Sequence, residues 1–278
     1  ASSDSISALL TGSVVLAGAG KMGGALLRGW LDHGIAARRI VIFEPAPTAD
    51  LMALVTQTGL RLNPRIETVT DANVILLAVK PQSMAQALPN FLPLKQAGGV
   101  ILSIAAGKPV EFLESVFGAQ TPIVRAMPNL PASVGRGISV LYANAAVSAA
   151  QRDLSGALLG AVGQVAWVAR EALLDPVTAV SGSGPAYVFL LIECLAKAGV
   201  AAGLDEELAM QLATATIMGS GQLAAQSDLS VATLRENVTS PGGTTAAALE
   251  ILMREDGLQA LLTEAVLAAT NRSRELAK

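Results

Sequence analysis

The sequence predicts an α/β fold in two parts, a domain with a parallel sheet over residues 12–170 and an all-helical domain over residues 171–278. Two observations support this division. In the first part, short apolar runs typical of buried strands alternate with helical segments, which is the pattern of a parallel sheet covered by helices. After about Leu173 no further strand pattern occurs, and long helical segments follow one another to the end.

Composition limits the classes of protein that fit. The chain has 278 residues and a formal net charge of −3, so no basic face for nucleic acid is expected. Only 15% of residues are charged and 52% are apolar, with a mean hydropathy of +0.52. We expect part of this apolar surface to be buried between the subunits of a homo-oligomer. The single Cys194 excludes an internal disulfide and is expected to pack in the core, and a reducing, cytoplasmic setting fits.

The uncharged stretch Leu208–Ser227 could in principle be a membrane span. Its 20 residues carry no formal charge and are long enough to span a bilayer. Their content of Gln, Ser and Thr is costly in lipid, so we predict a buried globular helix and expect no membrane partner. Residues 1–12 contain no basic residue and only a short apolar patch, so a signal peptide is not expected there.

A dinucleotide-binding motif opens the first domain. The apolar run Val14–Ala17 predicts a buried strand, and Gly18-Ala19-Gly20-Lys21-Met22-Gly23 follows directly, before an apolar helix. In this position a GxGxxG pattern indicates a Rossmann domain, because its glycines allow a pyrophosphate to approach closely and the helix N-terminus faces the phosphates. The next strand, Ile40–Phe43, ends in Glu44, 21 residues past the last glycine of the motif. An acid at that position is placed to hold a ribose 2′-hydroxyl.

The alternation of strands and helices continues through the first domain. Further buried strands are predicted at Val74–Val79, Val100–Ile104 and Ile123–Ala126, edge strands at Gly137–Tyr142 and Gln164–Val168, and a helix from about Ser148 to Leu159. Because the ligand of an open parallel sheet lies beyond the carboxyl ends of the strands, the loops after the three buried strands should line one crevice. These loops read Lys80-Pro81-Gln82, Ala105-Ala106-Gly107 and Met127-Pro128-Asn129-Leu130-Pro131.

The second part is predicted to be helical throughout. Ser181-Gly182-Ser183-Gly184-Pro185 places a capping serine and a proline where a helix should start, and that helix is predicted to end near Ala201. A phosphate loop is the other interpretation of this run, but no buried strand precedes it. Further helices are predicted at Asp205–Gln226, around Thr233 and at Gly257–Ala277.

Few side chains in the sequence can act as an acid, a base or a nucleophile. The single His33 lies at the end of the first Rossmann helix and is expected to be a surface or capping residue. No group of Cys, His and acidic residues has metal-ligand spacing, so no metal is expected. Lys197 lacks the Gly-rich neighbours of the catalytic lysine in hydroxyacid dehydrogenases of related architecture, which disfavours reduction of a keto group. An imine can arrive already protonated, and its carbon then accepts hydride with little help from a side-chain acid.

The run Leu234–Leu249 contains the most distinctive local chemistry. Ser240-Pro241-Gly242-Gly243-Thr244-Thr245 combines hydroxyls with a glycine turn, and an Ala-rich helix is predicted to open at Thr244 or Thr245. Free N–H groups and the positive end of the helix dipole would then face the turn, which suits a small carboxylate or phosphate. An ordinary Ser/Thr helix cap after a glycine loop is the alternative.

Several of these motifs resemble those of the pyrroline-5-carboxylate reductases, and the matching runs extend from Gly18 to about Glu275. The matching runs are Gly18-Ala-Gly-Lys-Met-Gly, Ala78-Val-Lys-Pro-Gln, Arg125-Ala-Met-Pro-Asn, Ala179-Val-Ser-Gly-Ser-Gly-Pro-Ala-Tyr and Asn237-Val-Thr-Ser-Pro-Gly-Gly-Thr-Thr. The resemblance implies a Rossmann domain joined to a helical domain that interlocks in a homodimer, often assembled further into a decamer. It also implies reduction of 1-pyrroline-5-carboxylate to L-proline with NADPH or NADH, and a substrate loop that meets the cofactor domain of the other subunit.

The resemblance assigns roles to individual residues. It implies that the cofactor contacts Gly18, Ala19, Gly20, Lys21, Met22, Gly23, Ala78, Val79, Lys80, Pro81, Ala105, Ala106, Gly107 and Asn237, and the dinucleotide motif itself adds Glu44. Substrate would be bound by Ser240, Gly243, Thr244, Thr245 and Glu171, with Thr245 as the catalytic residue that serves the ring nitrogen.

The sequence departs from the family in two places. Members that favour NADPH commonly carry Ser or Asn-Arg after the second strand, whereas this chain has Phe43-Glu44-Pro45, which favours NADH. Relatives also often carry an Asn shortly before the Glu-Thr that follows the third strand, where this chain has Arg65-Ile66. Two other functions stay open at this point: an imine reductase for a different cyclic imine, and a non-catalytic dimer that senses a dinucleotide.

Overall fold

The computed structural model describes residues 3–277, which form helices on both faces of a sheet followed by a set of helices alone. The strands are Ser13–Ala17 (β1), Ile40–Phe43 (β2), Arg61–Leu62 (β3), Ala72–Leu77 (β4), Val100–Ser103 (β5), Ile123–Met127 (β6), Gly137–Ala143 (β7) and Gly163–Trp167 (β8). The helices are Ser3–Leu9 (α1), Lys21–Asp32 (α2), Ala49–Thr58 (α3), Met84–Ala87 (α4), Val110–Phe117 (α5), Ala149–Gly160 (α6), Leu174–Val177 (α7), Gly184–Ala201 (α8), Glu206–Gln226 (α9), Val231–Asn237 (α10), Thr244–Leu252 (α11) and Leu258–Leu276 (α12).

The strands form one eight-stranded sheet in the order β3-β2-β1-β4-β5-β6-β7-β8. Neighbours pair in parallel except β6 and β7, which are antiparallel. The predicted α/β fold with an N-terminal Rossmann domain and a helical second part is confirmed. The prediction that Gly137–Tyr142 forms an edge strand is wrong, because β7 pairs with β6 on one side and β8 on the other. Strands β3 and β8 are the edges.

Apolar packing on both faces of the sheet explains why the strands read as continuous apolar runs. All five residues of β1 are buried. On one face Leu26 and Trp30 of α2 pack with Leu158 of α6, and the Trp30 indole N–H donates to the Leu158 carbonyl at 2.9 Å. On the other face Phe91 and Phe117 pack against the alternate strand residues. The carboxyl ends of β1, β2 and β4 are thereby fixed beside one another.

Two local features differ from the sequence-based prediction. Strand β3 was not predicted, because a strand of two residues carries no periodic pattern. The predicted serine cap before α8 is wrong: residues Thr178–Gly182 form a π-helical turn, and Ser183 has helical φ and ψ without a capping hydrogen bond. The Ser181 hydroxyl instead donates to the Val177 carbonyl at 3.0 Å. The predicted proline in the first turn of α8 is present.

Contacts divide the chain into two units. The first contains the sheet and extends to Gly182, together with the segment from Thr270 onward, and the second is Ser183–Ala269. The predicted boundary between residues 170 and 171 differs from this division and stays a prediction. The last residues join the first unit because the Ser273 hydroxyl donates to the Asp175 carboxylate at 2.7 Å.

The helical unit exposes much of its apolar surface. Small residues bring α8 and α9 together, with Ala196, Ala209 and Ala213 buried between them. Large side chains are exposed elsewhere, among them Phe189 at 53% and Met218 at 68%. Cys194 is also exposed on α8, so the prediction that it packs in the core of the chain is wrong. Such a surface needs a partner to cover it.

One stretch among the described residues, Glu171–Ala201, is apolar and long enough to cross a membrane by length and composition alone. The sequence points instead to Leu208–Ser227, which lies largely within α9. Most of its residues are exposed, Met218 at 68% among them, so the prediction of a buried helix is wrong for the single chain. One such helix is weak evidence for a membrane. The expectation of no membrane partner stays a prediction.

Candidate active site

The glycine-rich loop lies between β1 and α2. The atoms packed around Gly18 and Gly23 explain why these two positions require glycine. Gly18 has φ +93°, and a Cβ added there would lie 2.8 Å from the Ala78 carbonyl oxygen. A Cβ at Gly23 would overlap the Gly18 carbonyl oxygen. Gly20 differs, since no atom lies within 4 Å of its added Cβ. The chain packing therefore requires the outer glycines, while the middle one leaves open space where a ligand can approach the backbone.

The start of α2 offers unpaired N–H groups. Gly20 is the N-cap and makes no side-chain hydrogen bond, and Gly24 is the first residue to donate back along the helix, to the Gly20 carbonyl at 2.7 Å. The amides of residues 20–23 have no hydrogen-bond partner within the described part of the chain. These N–H groups and the helix dipole favour a bound phosphate.

Glu44 follows β2 and reaches back to the glycine-rich loop. Its Oε2 accepts from the Ala19 amide at 2.8 Å and its Oε1 from the Ala46 amide at 3.1 Å. The backbone of Glu44 is held by the Asn63 side chain, which accepts from the Glu44 N–H and donates to its carbonyl, both at 2.9 Å. The carboxylate is therefore fixed beside the loop that is predicted to bind the pyrophosphate.

An open cleft of ≈ 800 Å³ lies at the carboxyl ends of β1, β2 and β4. Six of the residues predicted to contact the cofactor line it: Gly18, Gly20, Glu44, Ala78, Val79 and Lys80. Its other lining residues were not predicted: Phe43, Pro45, Asn63, Pro64, Ile66, Ser83, Gln86, Ala87, Asn90 and Phe91. Most of these lie in short or irregular segments where no motif signals them. A cleft with an acid, a glycine-rich loop and apolar walls fits a dinucleotide.

The remaining residues predicted to contact the cofactor lie elsewhere. Eight of them are in the first unit but do not line this cleft: Ala19, Lys21, Met22, Gly23, Pro81, Ala105, Ala106 and Gly107. The first four belong to the loop and helix start just described. The last three follow β5 at the same edge of the sheet. Asn237 is the exposed last residue of α10 in the helical unit.

The loop after β5 is packed against the end of the chain. Ala105 is buried, and its amide donates to the Ser103 hydroxyl at 3.4 Å. Gly107 has φ +70°, and a Cβ added there would lie 3.1 Å from the Leu276 carbonyl oxygen. The segment that joins the first unit from Thr270 onward thus borders this loop, which leaves little freedom for a larger residue.

Arg125 and Glu171 form a largely buried ion pair. Their side chains are 9% and 25% exposed, and Arg125 Nη1 lies 2.7 Å from Glu171 Oε1. The same oxygen accepts from the Val110 amide at 2.9 Å, at the start of α5. Glu171 therefore connects β6 to the helix that follows the Ala105–Gly107 loop. Its predicted contact with substrate stays a prediction, and its observed partners are these two donors.

The turn Ser240–Thr245 has the local structure that its sequence predicts. The Gly243 amide donates to the Ser240 carbonyl at 3.0 Å and Gly242 has φ +67°, as expected for a turn with Pro241 before glycine. Helix α11 begins at Thr244 with Gly243 as N-cap. The Gly243 N–H is therefore used within the turn, and the unpaired amides are those of residues 244–246, within the described part of the chain.

The hydroxyls of this turn are also free. Those of Ser240, Thr244 and Thr245 make no hydrogen bond within residues 3–277. Ser240 and Thr244 are exposed, and Thr245 is half-buried. The turn therefore presents hydroxyls and helix N–H groups together, which can hold a carboxylate and one further polar atom.

Three other observations concern the rest of the described chain. No group of three or more His, Cys, Asp and Glu among the described residues could hold a metal ion. His33 ends α2, and its Nδ1 lies 2.8 Å from the Gly29 carbonyl, which confirms its capping position. An open groove of ≈ 940 Å³ runs along α9 between Glu206 and Met218, and it contains no residue of the predicted site.

Comparison with known proteins identifies both parts of the chain. A family model described as pyrroline-5-carboxylate reductase dimerisation matches residues 171–276, and one described as NADP oxidoreductase, coenzyme F420-dependent, matches residues 13–107. A pyrroline-5-carboxylate reductase of Pseudomonas aeruginosa is 42% identical over 273 residues, which cover 96% of this chain and 98% of that protein.

Solved structures agree with these matches. A pyrroline-5-carboxylate reductase from Coxiella burnetii is 34% identical, with a TM-score of 0.90, and covers 96% of this chain and 99% of its own. The Plasmodium falciparum pyrroline carboxylate reductase with NADP bound is 31% identical, with a TM-score of 0.80, and covers 97% and 99% of the two chains.

Proposed function

Because the chain belongs to the pyrroline-5-carboxylate reductase family, we propose that its substrate is 1-pyrroline-5-carboxylate and its product L-proline. It is an NAD(P)H-dependent oxidoreductase that acts on a C=N bond in proline biosynthesis. The observation that carries the proposal is the pairing of two recognition elements in one chain: a dinucleotide cleft beside a glycine-rich loop, and a turn that presents free hydroxyls and helix amides.

The cofactor is assigned to the cleft in the first unit. The nicotinamide cofactor, when bound, supplies a hydride from C4 of its ring. The unpaired amides of residues 20–23 suit the pyrophosphate, and the open space at Gly20 lets it approach. Ala105–Gly107 provide small residues at the same edge of the sheet, next to which the nicotinamide ring is proposed to stack.

Glu44 leads us to propose NADH as the preferred cofactor. Its carboxylate is held at the glycine-rich loop by the Ala19 amide, where it can accept hydrogen bonds from both hydroxyls of an adenosine ribose. The 2′-phosphate of NADPH would meet the same carboxylate with like charge, which costs affinity. The NADP in the Plasmodium falciparum structure belongs to that protein and leaves the preference of this chain to experiment.

Substrate is assigned to the turn Ser240–Thr245. The amides of Thr244 and Thr245 and the hydroxyl of Ser240 can hold the substrate carboxylate at the positive end of α11. Thr245 is proposed to hydrogen-bond the ring nitrogen and to follow it as the iminium becomes an amine. A threonine hydroxyl is too weak an acid to supply the proton alone. The chemistry therefore needs the imine to arrive protonated, and the turn contributes orientation.

The chain works as a homo-oligomer, and we propose the dimer as the smallest active unit. The exposed apolar side chains of the helical unit, Phe189 and Met218 among them, support burial against a second copy. Further assembly into a decamer and a cytoplasmic location complete the proposal, the latter supported by the single cysteine.

Steady-state kinetics test the proposal. Oxidation of NADH and of NADPH is followed with 1-pyrroline-5-carboxylate and, separately, with larger cyclic imines. We expect turnover with 1-pyrroline-5-carboxylate to give L-proline and the higher kcat/KM with NADH. Better turnover of another ring would identify a different imine reductase, and cofactor binding without turnover would identify a sensor. Sedimentation at assay concentration measures the oligomer, and an active monomer would contradict the dimer.

A further inference from the structure

Asn63 has an unusual backbone conformation at the rim of the cofactor cleft. It follows β3 and has φ +47°, the one positive φ outside glycine among residues 3–277. Asn adopts this left-handed region more readily than most residues, but the conformation still requires support from its surroundings. Its own amide provides part of that support by donating to the Ile42 carbonyl of β2 at 2.7 Å.

The Asn63 side chain holds both backbone groups of Glu44. Its Oδ1 accepts from the Glu44 N–H and its Nδ2 donates to the Glu44 carbonyl, each at 2.9 Å. We call these two hydrogen bonds the Asn63 clamp. Because they fix the peptide groups on both sides of the Glu44 Cα, they fix the direction in which the Glu44 side chain leaves the backbone.

The Phe43 carbonyl at the end of β2 accepts from the Gly18 amide at 2.8 Å, and the chain beyond that carbonyl has little other support. Pro45 has no N–H to donate, and the Ala46 amide donates only to the Glu44 carboxylate, at 3.1 Å. The 2.8 Å hydrogen bond between Glu44 Oε2 and the Ala19 amide therefore depends on the Glu44 backbone staying in place. Without the clamp, the carboxylate is expected to sample other positions in the open cleft.

We propose that Asn63 is a positioning residue that sets cofactor preference by holding the Glu44 carboxylate at the ribose site. This inference rests on the proposed role of Glu44. A fixed carboxylate accepts two hydrogen bonds from a ribose with free hydroxyls and meets a 2′-phosphate at close range, whereas a mobile one can turn away from the phosphate. The clamp therefore increases the difference in affinity between NADH and NADPH.

The test compares four variants of the full chain. Asn63→Gly removes the clamp and tolerates the positive φ without strain. Asn144→Gly is the matched control: Asn144 also holds the main chain of the first unit, accepting from the Ile123 amide at 3.1 Å and donating to the Thr121 carbonyl at 3.0 Å, but it does not line the cleft. Glu44→Gln and the double variant Glu44→Gln/Asn63→Gly complete the set. Calorimetry gives Kd for NADH and NADPH, and thermal unfolding gives Tm.

For Asn63→Gly we expect the ratio of Kd for NADPH to Kd for NADH to fall about threefold to tenfold, the size expected when one or two hydrogen bonds stop restraining a charged group. Asn144→Gly should lower Tm and leave this ratio as in the wild type. In the Glu44→Gln background the substitution of Asn63 should have no further effect on the ratio, because the two residues act together.

Two results would overturn the inference. An unchanged ratio in Asn63→Gly would show that Asn63 serves only the stability of the domain. An equal shift of the ratio with and without the Glu44 carboxylate would show that Asn63 does not act through it. A wild-type protein that prefers NADPH would refute the proposed NADH preference instead, and Asn63 would still be judged by the shift in the ratio and its dependence on Glu44.

Discussion

Removing the Glu171 carboxylate should destabilise the first unit through its buried partner. Arg125 has a side chain that is 9% exposed and an Nη1 that lies 2.7 Å from Glu171 Oε1. Breaking a fully buried pair by deleting one partner costs about 3–5 kcal/mol. Because the Glu171 side chain is 25% exposed, water can replace part of what is lost, and we expect about 2–3 kcal/mol for Glu171→Ala. The Val110 amide loses its acceptor in the same variant.

Thermal unfolding at fixed protein concentration measures this effect. With about 2–4 °C of Tm per kcal/mol for domains of this size, Glu171→Ala should lower Tm by roughly 5–10 °C. Glu171→Gln keeps an acceptor oxygen for both donors and should lose less. The double variant Arg125→Met/Glu171→Ala should recover part of the loss, because no charge is then left buried without a partner.

The kinetic result separates this account from a direct role in the reaction. If the carboxylate mainly connects β6 to α5, Glu171→Gln should leave KM for 1-pyrroline-5-carboxylate within about twofold of the wild type, since a neutral amide can keep the same hydrogen bonds. An unchanged Tm for Glu171→Ala together with a strongly raised KM would refute the reasoning. Glu171 would then act on the substrate, as the resemblance to the family implies.

Three further predictions concern the two recognition elements. Glu44→Gln should raise kcat/KM with NADPH about fivefold to thirtyfold, because about 1–2 kcal/mol of like-charge repulsion is removed in a partly open cleft; no gain with NADPH would contradict this. Gly20→Ala should fold normally but weaken NADH binding at least about tenfold, because its Cβ would occupy the open space through which the pyrophosphate is proposed to approach the loop. Gly23→Ala should instead lower Tm, because its Cβ would meet the Gly18 carbonyl. Thr245→Ala should lower kcat/KM about tenfold to a hundredfold with little change in cofactor Kd, and Thr245→Ser should keep most activity; loss of NADH binding instead would refute the assignment of this turn to substrate.

Local motifs made the cofactor loop predictable from sequence. The spacing of the glycines, the apolar run before them and the acid after the second strand are all encoded within about thirty residues, as in other dinucleotide-binding domains. The structure places Gly18, Gly20 and Glu44 around one cleft, and their contact with the cofactor stays a prediction. The turn at Ser240 was equally visible, because its proline, its glycines and its hydroxyl-bearing residues have strong local preferences.

Long-range contacts could not be predicted in the same way. The hydrogen bonds of Asn63 to Glu44 join residues 19 apart, and the Arg125–Glu171 pair joins residues 46 apart. Neither contact leaves a periodic pattern, and strand β3, which brings Asn63 into place, has only two residues. These contacts follow from the packing of the sheet and become visible only in the folded chain.

Hydropathy also could not separate burial within a subunit from burial between subunits. Cys194 lies in an apolar run and was expected in the core, yet it is exposed on α8 together with Phe189. Hydropathy shows only that the residues at these positions are apolar. Which surface covers them is decided by the assembly, because a helical unit with three buried alanines at its centre has too little core of its own.

This difference between the two units bears on how the reaction is divided within the molecule. The cleft proposed to hold the cofactor is formed by residues of the first unit, whose sheet is buried on both faces, so an isolated chain already contains the groups proposed to recognise a dinucleotide. The turn at Thr245 lies among helices whose apolar side chains still need a second copy to cover them. Substrate recognition should therefore depend on assembly more strongly than cofactor recognition does. If Thr245 acts by orienting the substrate, as proposed, this arrangement suits the reaction, because burial against a second copy would hold the turn rigid.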